Sequence, residues 1–297
     1  METSKIEISK IHFPVIDSTQ VYARANLAMV QPGMLHQITA DEQTGGIGQS
    51  GRLWHSPKHA NLYVTYMMTF MEKDRAVKLP LSQLSALSIC QVLQAYDFTA
   101  QIKWKNDIVV KGQKISGTLV EVFEHPSHQH LQVVLFGIGI NINMDEAEFK
   151  SVDQPSTSMK LLAIPNQEFT INVVLDKLTA ILAQNIDLYK TSGFGIFVPL
   201  LQERCAFRNE RIKVSEVEGE GTVTGTCVGL DENAHLVIKT DQGVELSLKS
   251  GRIVREYNNS TAALIQLRSP TVKHQESEKE STTVEKQTTN QVYLLPL

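Results

Sequence analysis

Two short polar stretches hold the residues best suited to binding an anion. Residues 103–107 (KWKND) place two lysines, an amide and a carboxylate between two expected strands, and residues 114–117 (KISG) follow one hairpin later. Paired strands would bring Lys103 and Lys114 together and create a local site of positive charge. Taken alone, such a string is more often a polar turn with solvated lysines. The neighbouring motifs therefore decide between the two interpretations.

A glycine-rich segment precedes these stretches. Residues 44–51 contain four glycines and are followed by Arg52 and Trp54. A backbone without β-carbons can turn its amides toward carboxylate or phosphate oxygens, a guanidinium adds charge-assisted hydrogen bonds, and an indole can stack on a flat ring. The alternative is a mobile turn between two strands. No βαβ setting surrounds these glycines, so the pattern argues against a dinucleotide fingerprint or a Walker loop.

A third glycine motif ends an expected strand. In residues 137–143 (GIGININ) the two glycines are spaced by two, which places both on one face and bares the backbone there. A flat ligand would fit against that face. For this segment alone, an equal alternative is a structural strand whose glycines leave room for a bulky neighbouring side chain.

Three histidines could suggest a zinc site. His125, His128 and His130 have no cysteine nearby and no obvious carboxylate partner, so a solvated hairpin loop is the better interpretation. The sequence also lacks the patterns G-x-S-x-G and H-E-x-x-H. Hydrolase or metalloprotease chemistry therefore has little support.

The composition is that of a globular protein inside the cell. The net charge of -4 gives no global field for nucleic acid, so any polyanion site must be local. The three cysteines form no C-x-x-C pair, which argues against a disulfide framework and favours a reducing cytoplasm. The charged amino-terminal residues argue against a signal peptide, and no apolar run reaches the roughly 18 residues of a membrane span.

The hydrophobic pattern predicts the elements that must position these motifs. Ser18 or Asp17 is expected to cap a helix that ends near Met29, and Thr170 is expected to cap a long amphipathic helix over 171–189. Short β-branched segments predict strands, mostly in antiparallel hairpins, over residues 35–40, 61–70, 101–104, 108–110, 115–124 and 131–142.

A change of pattern predicts a second domain. Between residues 211 and 255 short strands alternate with turns, which is typical of a small barrel or sandwich. We expect a catalytic domain over 1–205 and a small β-barrel domain over 206–256. Residues 257–297 are rich in Ser, Thr, Gln, Glu and Lys and are expected to form a disordered polar tail.

Five ordered motifs resemble the biotin-protein ligase family over about residues 12–256. The family pattern is an S-T-N or S-T-Q turn, a G-R-G-R-x-G-R-x-W loop, a K-W-P-N-D turn, a K-x-x-G strand and a G-I-G-x-N strand end. The matching segments are 17–20, 43–57, 103–107, 114–117 and 137–143. The resemblance implies an α+β fold like that of class II synthetases, with helices packed on a mixed or antiparallel sheet, followed by a small SH3-like barrel. It implies the short form that lacks an N-terminal DNA-binding domain, and hence no repressor role.

The resemblance also implies the activity and the roles of single residues. Biotin and ATP, with Mg²⁺, would give biotinyl-5'-AMP and pyrophosphate, and biotin would then pass to a lysine of a biotin carboxyl carrier domain. The implied catalytic residues are Lys103, Asp107, Lys114 and Arg52. Those implied for biotin are Ser18, Thr19, Gln20, Gln43, Gly46, Ile47, Gly48, Gln49, Lys114 and Gly117. Those implied for ATP or the adenylate are Arg52, Trp54, Asn106, Gly137 and Asn141, with no side chain implied as a direct metal ligand.

Physical chemistry makes this assignment sensible. A carboxylate that attacks the α-phosphate of ATP brings two anions together, so fixed cations and magnesium must lower the repulsion. A loop closed over the mixed anhydride would exclude water. Asp107 is expected to orient or deprotonate the acceptor lysine in the second step.

The chain departs from the family pattern at three positions. Ile47 and Gln49 stand where the loop pattern has arginines, and Lys105 stands where K-W-P-N-D has proline. Losing two guanidinium groups removes bidentate phosphate contacts, and a glutamine offers only neutral hydrogen bonds. We expect the loop to hold the adenylate less by charge and more by packing of Ile47.

Two other functions compete with this one. A lipoate or octanoate ligase would share the fold and the adenylate chemistry, but Trp104 and the loop around Trp54 favour biotin. A non-catalytic biotin-binding regulatory protein would explain the missing arginines, but the retained Lys103, Asp107 and Lys114 argue against it. The expected partner is a carrier domain of a carboxylase, with neither DNA nor membrane, and a homodimer stays open.

Overall fold

The computed structural model describes residues 6–71, 78–163, 167, 169–254 and 289–294. Seven strands of the amino-terminal part belong to one sheet, which we call the catalytic sheet: β1 (Glu7–Phe13), β2 (Met34–Ala40), β3 (Asn61–Met71), β4 (Gln101–Lys103), β5 (Asp107–Val110), β6 (Gln113–Glu124) and β7 (Leu131–Asn141). β1 and β2 run parallel, whereas the pairs β2–β3, β3–β7, β7–β6, β6–β5 and β5–β4 are antiparallel. The expected mixed sheet is therefore confirmed.

Helices cover both faces of this sheet. They are α1 (Thr19–Ala25), α2 (Lys78–Gln94), α3 (Met159–Leu162), α4 (Ile171–Ser192) and α5 (Val198–Arg204). β3 is buried along almost its whole length because α1 packs on one face and α2 and α4 lie over the other. Ser18 caps α1 as expected, accepting a hydrogen bond from the amide of Val21.

Two helix details differ from expectation. The first helix ends at Ala25, and a separate 3-10 turn covers Leu27–Met29, because the amide of Asn26 bonds back to Ala23. Thr170 occupies the cap position of α4 but makes no side-chain cap hydrogen bond.

A second, antiparallel sheet follows the helices. Its strands are β8 (Arg211–Val217), β9 (Gly221–Leu230), β10 (Leu236–Lys239), β11 (Glu245–Leu248) and β12 (Arg252–Val254), in the order β11-β10-β9-β8-β12. The buried side chains of this sheet, such as Val214, Cys227 and Ile238, join the same apolar cluster as α2 and α4. The two sheets are therefore packed together.

Part of the expected tail lies in a strand. β13 (Thr289–Leu294) pairs antiparallel with β1 at the edge of the catalytic sheet, which then has the order β13-β1-β2-β3-β7-β6-β5-β4. An edge strand presents unpaired backbone groups, and this end of the chain (TNQVYL) is richer in β-forming residues than the polar segment before it. The remainder of the expected tail, residues 257–288 and 295–297, lies outside the described residues.

Candidate active site

The face of the catalytic sheet that α1 covers is bare at its centre. Gly117 of β6 lies opposite Gly139 of β7 and also opposite Asp107 of β5. Thr65 of β3 lies opposite Gly137. Alternate residues of a strand share a face, so the expectation that Gly137 and Gly139 lie on one face is confirmed. Together these positions form a floor without bulky side chains.

The indole of Trp54 lies directly on this floor. A Cβ added at Gly139 would lie 2.4 Å from Cε2 of Trp54, and one added at Gly117 would lie 3.1 Å from Cζ3. The ammonium of Lys114 is 5.1 Å from the centre of the indole ring. The indole Nε1 is buried and has no hydrogen-bond partner in the described part of the chain. Glycine at these positions leaves room for the indole. Trp54 thereby forms one wall of the inner pocket, which is described below.

Hydroxyl and amide side chains line the deep end of the site. Thr65 Oγ1 lies 3.0 Å from Thr19 Oγ1, and both the hydroxyl and the amide of Thr19 donate to Oε1 of Gln43, at 3.1 and 2.9 Å. The amide nitrogen of Gln43 donates to Ser56 Oγ, which donates to the carbonyl of Trp54. This network ties the start of α1 to the glycine-rich loop.

These elements line an inner pocket with about 480 Å³ of empty space, part of which is open to solvent. Its side chains are apolar or neutral and polar except for a single cation, Lys114. Its lining residues are Ser18, Thr19, Gln20, Gln43, Ile47, Gly48, Gln49, Trp54, Val64, Thr65, Asn106, Lys114, Gly117, Thr118, Leu119, Gly137, Ile138 and Gly139.

A wider outer cleft opens from the inner pocket. The two cavities share Gln43, Gly48, Gln49, Trp54, Asn106 and Lys114. The far side of the cleft is formed by the second sheet. Five basic residues line it, against three acidic ones: the basic residues are Arg52, Lys103, Lys105, Lys114 and Arg252, and the acidic ones are Asp107, Asp153 and Glu216. The cleft is therefore suited to a polyanion.

Lys114 and Asp107 form an ion pair at the junction of the two cavities. The ammonium nitrogen lies 2.7 Å from Oδ1 of Asp107, and the two side chains are only 15% and 19% exposed. The backbone of Lys114 is also fixed, because its amide donates to the carbonyl of Pro155 and its carbonyl accepts from the amide of Thr157. The lysine is thus held in place before any ligand binds.

Two more lysines flank this pair. Lys103 lies opposite Asp107 in the β4–β5 hairpin, and both line the outer cleft. Lys105 also faces the cleft and is half-buried. Burial lowers the pKa of Lys105, and the positive charge of Lys78 lowers it further, whereas Glu216 opposes the shift. The position that departs from the family pattern thus adds a cation near the second sheet.

The structure brings the expected site residues together with two differences in placement. Of those implied for biotin, all line the inner pocket except Gly46, which lines the outer cleft. A Cβ at Gly46 would lie 2.7 Å from both Ser56 Oγ and the carbonyl oxygen of Trp54. Of those implied for the nucleotide, Arg52, Trp54, Asn106 and Asn141 line the outer cleft, but Gly137 lies in the inner pocket against Gln20. Gly137 lies two residues before Gly139 on the same face of β7 and therefore belongs to the floor of the inner pocket.

Trp104 was expected to favour biotin over lipoate, but its side chain does not line the inner pocket. Its side chain is 4% exposed, and its indole nitrogen donates to the carbonyl of Ala234, 3.0 Å away, in the second sheet's part of the chain. Trp104 therefore anchors one sheet to the other and shapes the outer cleft.

The three histidines form a structural turn. Nδ1 of His125 accepts from the amide of Ser127 and its Nε2 lies 3.0 Å from the carbonyl of Val30, so both ring nitrogens are used. Within the described residues there is no group of three or more His, Cys, Asp or Glu side chains able to hold a metal ion.

Several residues of the site have no obvious sequence signal. Thr65 extends the hydrogen-bond network, Glu121 contacts Gln20, and Arg252 and Glu216 reach the cleft from the second sheet. The period-two pattern of β3 and β6 could have placed Thr65 and Glu121 on the glycine face. The residues of the second sheet could not have been placed, because their approach depends on packing between sheets.

Comparison with known proteins agrees with this geometry. Residues 12–141, which carry the floor and the loop, match the biotin/lipoate A/B protein ligase family. The similarity to that family lies in this segment of the chain. Among relatives, the bifunctional ligase/repressor BirA of Escherichia coli is 28% identical over 248 residues, covering 80% of this chain and 73% of that protein. The biotin–[acetyl-CoA-carboxylase] ligase of Mycobacterium tuberculosis is 26% identical over 211 residues, covering 68% of this chain and 72% of that protein.

Solved structures of ligases share the fold of this chain. A biotin protein ligase from Aquifex aeolicus in complex with biotin and ATP superposes with a TM-score of 0.70 at 26% identity, covering 82% of this chain and 97% of the other. A mutant of that ligase in complex with biotin gives a TM-score of 0.68 at 27% identity, covering 83% and 98%. The expected resemblance to biotin-protein ligases and the expected α+β fold are thereby confirmed. None of the helices in the described part of this ligase is long and apolar enough to cross a membrane.

Proposed function

We propose that the chain is an ATP-dependent biotin-protein ligase that forms biotinyl-5'-AMP and then transfers biotin to a lysine of a carrier domain. One observation carries this function: Lys114, paired with Asp107, lies at the junction of a neutral inner pocket and a basic outer cleft. A ligand with an uncharged ring and a terminal carboxylate would place its carboxylate at this junction. The similarity to ligases with biotin and ATP bound supports the same arrangement.

The inner pocket favours biotin over lipoate or octanoate. Thr19, Thr65, Gln20 and Gln43 offer hydrogen-bond donors and acceptors to a ureido ring, which has both N–H groups and a carbonyl. A dithiolane or an alkyl chain could not use the remaining hydrogen-bonding capacity of these groups, which is unfavourable in a partly buried site. The polar character of the pocket therefore selects biotin.

In the first step a carboxylate oxygen of biotin attacks the α-phosphorus of ATP. A new C–O–P linkage forms, the bond to the β-phosphate oxygen breaks, and pyrophosphate leaves with the electron pair. Lys114 is placed to bind the carboxylate and α-phosphate, while Lys103 and Arg52 lie in the cleft that would hold the phosphates. Fixed cations that need no rearrangement reduce the repulsion between the reacting anions.

In the second step the neutral amine of the acceptor lysine attacks the acyl carbon of the adenylate. The amide bond forms, AMP leaves with the former carboxylate oxygen, and the amine loses a proton. The carboxylate of Asp107 lies at the junction and is positioned to orient this amine. Its pairing with Lys114 couples the two steps, because the same two side chains face both substrates.

We assign Mg²⁺ to the nucleotide and not to a dedicated protein site. Mg²⁺ in such enzymes is bound mainly through substrate phosphates, one or two carboxylates and water. The described residues offer no three-ligand cluster, and Asp107 is already paired with Lys114. Bound there, Mg²⁺ would supply charge neutralisation for the phosphates, in addition to that of Lys103 and Arg52.

Exchange of pyrophosphate into ATP tests the assignment. We expect exchange that depends on biotin and is absent with lipoate or octanoate. Exchange that depends on lipoate or octanoate instead of biotin would show that the protein is a lipoate or octanoate ligase. Binding of biotin without exchange would indicate a non-catalytic binding protein.

The acceptor, the location and the domain division are proposed on separate grounds. We propose that the acceptor is the carrier domain of acetyl-CoA carboxylase or a related carboxylase, as the name of the Mycobacterium tuberculosis relative indicates for that protein. We propose the cytoplasm as its location, since Cys90, Cys205 and Cys227 are buried and free of disulfides, as in a reducing compartment. The division into residues 1–205 and 206–256 is proposed on the two separate sheets.

A further inference from the structure

A buried amide at the floor of the inner pocket has its direction fixed by a charged pair. Gln20 is 3% exposed, and its amide nitrogen donates to Oε2 of Glu121 over 2.8 Å. Arg24 holds both oxygens of Glu121, from Nη2 at 3.0 and 2.9 Å and from Nε at 3.3 Å. A carboxylate paired in this way accepts hydrogen bonds and donates none. The NH₂ end of Gln20 must therefore face Glu121.

The opposite end of the amide then faces the pocket. Oε1 of Gln20 lies 3.1 Å from Oγ1 of Thr65, and a Cβ on Gly137 would lie only 2.4 Å from that oxygen. The glycine thus leaves the space that the amide oxygen occupies. Thr65 has one hydroxyl proton, which can be donated to Thr19 or to Gln20 but not to both. When Thr65 donates to Thr19, the oxygen of Gln20 is available as an acceptor.

We propose that Glu121, held by Arg24, is a positioning residue that fixes the Gln20 amide so that the inner pocket offers an acceptor to a ring N–H. The proposal rests on the proposed function and names a source of its ring selectivity. A ring with an N–H, such as a ureido ring, satisfies that oxygen. A ring without an N–H offers that oxygen no donor, so the oxygen competes with Thr19 for the single hydroxyl proton of Thr65, which lowers affinity.

The substitution Glu121→Gln tests the direction of the amide. Arg24 can only donate, so it would hold the oxygen of the new side chain, and the new NH₂ group would then face Gln20. Gln20 would turn over to accept from it and would point its own NH₂ into the pocket. Replacing an acceptor by a donor there should raise KM for biotin about 10- to 100-fold, with kcat at saturating biotin changed less than about threefold, since the reacting groups lie at Lys114.

A double-mutant cycle separates this role from a structural one. With Gln20→Ala already present, Glu121→Gln should have almost no further effect on KM, because its effect acts through the Gln20 amide. Glu124→Gln is the matched control, because Glu124 lies on the same strand, is exposed and accepts a hydrogen bond from the side-chain amide of Gln132. It should leave KM, kcat and the melting temperature unchanged.

Ring analogues give a second measurement. Calorimetric binding of biotin should be compared with binding of a biotin methylated on its ureido nitrogens, for the unmodified chain and for Glu121→Gln. The preference for biotin over the methylated analogue should be large in the unmodified chain. In the variant it should be smaller by a factor of about ten or more. An equal preference in both, or an effect of Glu121→Gln that persists in the Gln20→Ala background, would overturn the role of Glu121. Failure of the unmodified chain to bind biotin would instead overturn the proposed function.

Discussion

The ammonium of Lys114 lies 2.7 Å from the carboxylate of Asp107, on neighbouring strands, where the inner pocket meets the outer cleft. Each group compensates the charge of the other while both remain accessible to a ligand. A substrate carboxylate or phosphate that reaches Lys114 therefore competes with Asp107 and brings that side chain close to the acyl group. The roles of Lys114 and Asp107 can therefore be distinguished experimentally, because each should affect a different half-reaction.

Replacing Lys114 should stop adenylate formation. Lys114→Ala removes the fixed cation at the junction, and loss of one such electrostatic group reduces turnover by about 10²- to 10³-fold. Pyrophosphate exchange measures this step directly. Lys58→Ala is the control, since Lys58 is exposed and lines neither cavity. Unchanged exchange in Lys114→Ala would remove this lysine from the mechanism.

Replacing Asp107 should affect transfer more than activation. Asp107→Asn keeps the size of the side chain but removes the negative charge that orients an attacking amine. We expect transfer of biotin from preformed adenylate to the carrier to fall about 10²-fold or more, while pyrophosphate exchange changes by less than about tenfold. Single-turnover transfer and exchange are measured on the same preparation. Equal losses in both would mean that Asp107 acts only by holding Lys114.

Adding a methyl group to the floor should displace Trp54. Gly139→Ala places a Cβ 2.4 Å from the indole, so the ring must move. We expect weaker biotin binding and a changed tryptophan fluorescence spectrum, to which Trp54 and Trp104 are the contributors. Gly195→Ala is the control, because its added Cβ meets no atom within 4 Å. A Gly139→Ala protein with unaltered fluorescence and affinity would show that the indole does not rest on this strand.

Restoring a guanidinium to the loop should improve retention of the adenylate. Gln49 lines both cavities and offers only neutral hydrogen bonds. Gln49→Arg would add charge-assisted bonds to the phosphate, and dissociation of biotinyl-5'-AMP should slow about 10- to 100-fold. Gln49→Lys should slow it less, because an ammonium lacks the planar fork. Dissociation that is unchanged or faster in Gln49→Arg would contradict the idea that the missing guanidinium weakens retention of the adenylate.

Removing the indole nitrogen of Trp104 should loosen the contact between the two sheets. Trp104→Phe leaves the carbonyl of Ala234 without its donor, which costs about 1–3 kcal/mol. A lower melting temperature and faster hydrogen exchange in residues 211–254 are the expected results. Trp54→Phe is the comparison for stability, since Nε1 of Trp54 has no partner to lose within the described residues. Equal destabilisation by both would indicate loss of packing and not of the hydrogen bond.

The local elements near the motifs were predictable because their signals are local. Ser18 caps α1 through a bond to an amide three residues away, and the spacing of Gly137 and Gly139 fixes their common face. The end of α1 was not predictable to the residue, since Asn26 breaks the helix without a glycine or proline signal. β1 was missed, because its pairing with β2 is parallel and leaves no hairpin in the sequence.

The five motifs were enough to predict the resemblance to biotin-protein ligases, the α+β class and the chemical groups of the candidate site, because they combine residue types and spacings that local geometry converts into turns and faces. Which of these groups touch one another depends on long-range packing. The central pairing of β3 with β7 joins residues as distant as Asn61 and Asn141, and the contact of Glu121 with Gln20 joins two separate elements. Such contacts depend on competition among many possible strand registers and on packing of whole sheets, which no short segment encodes.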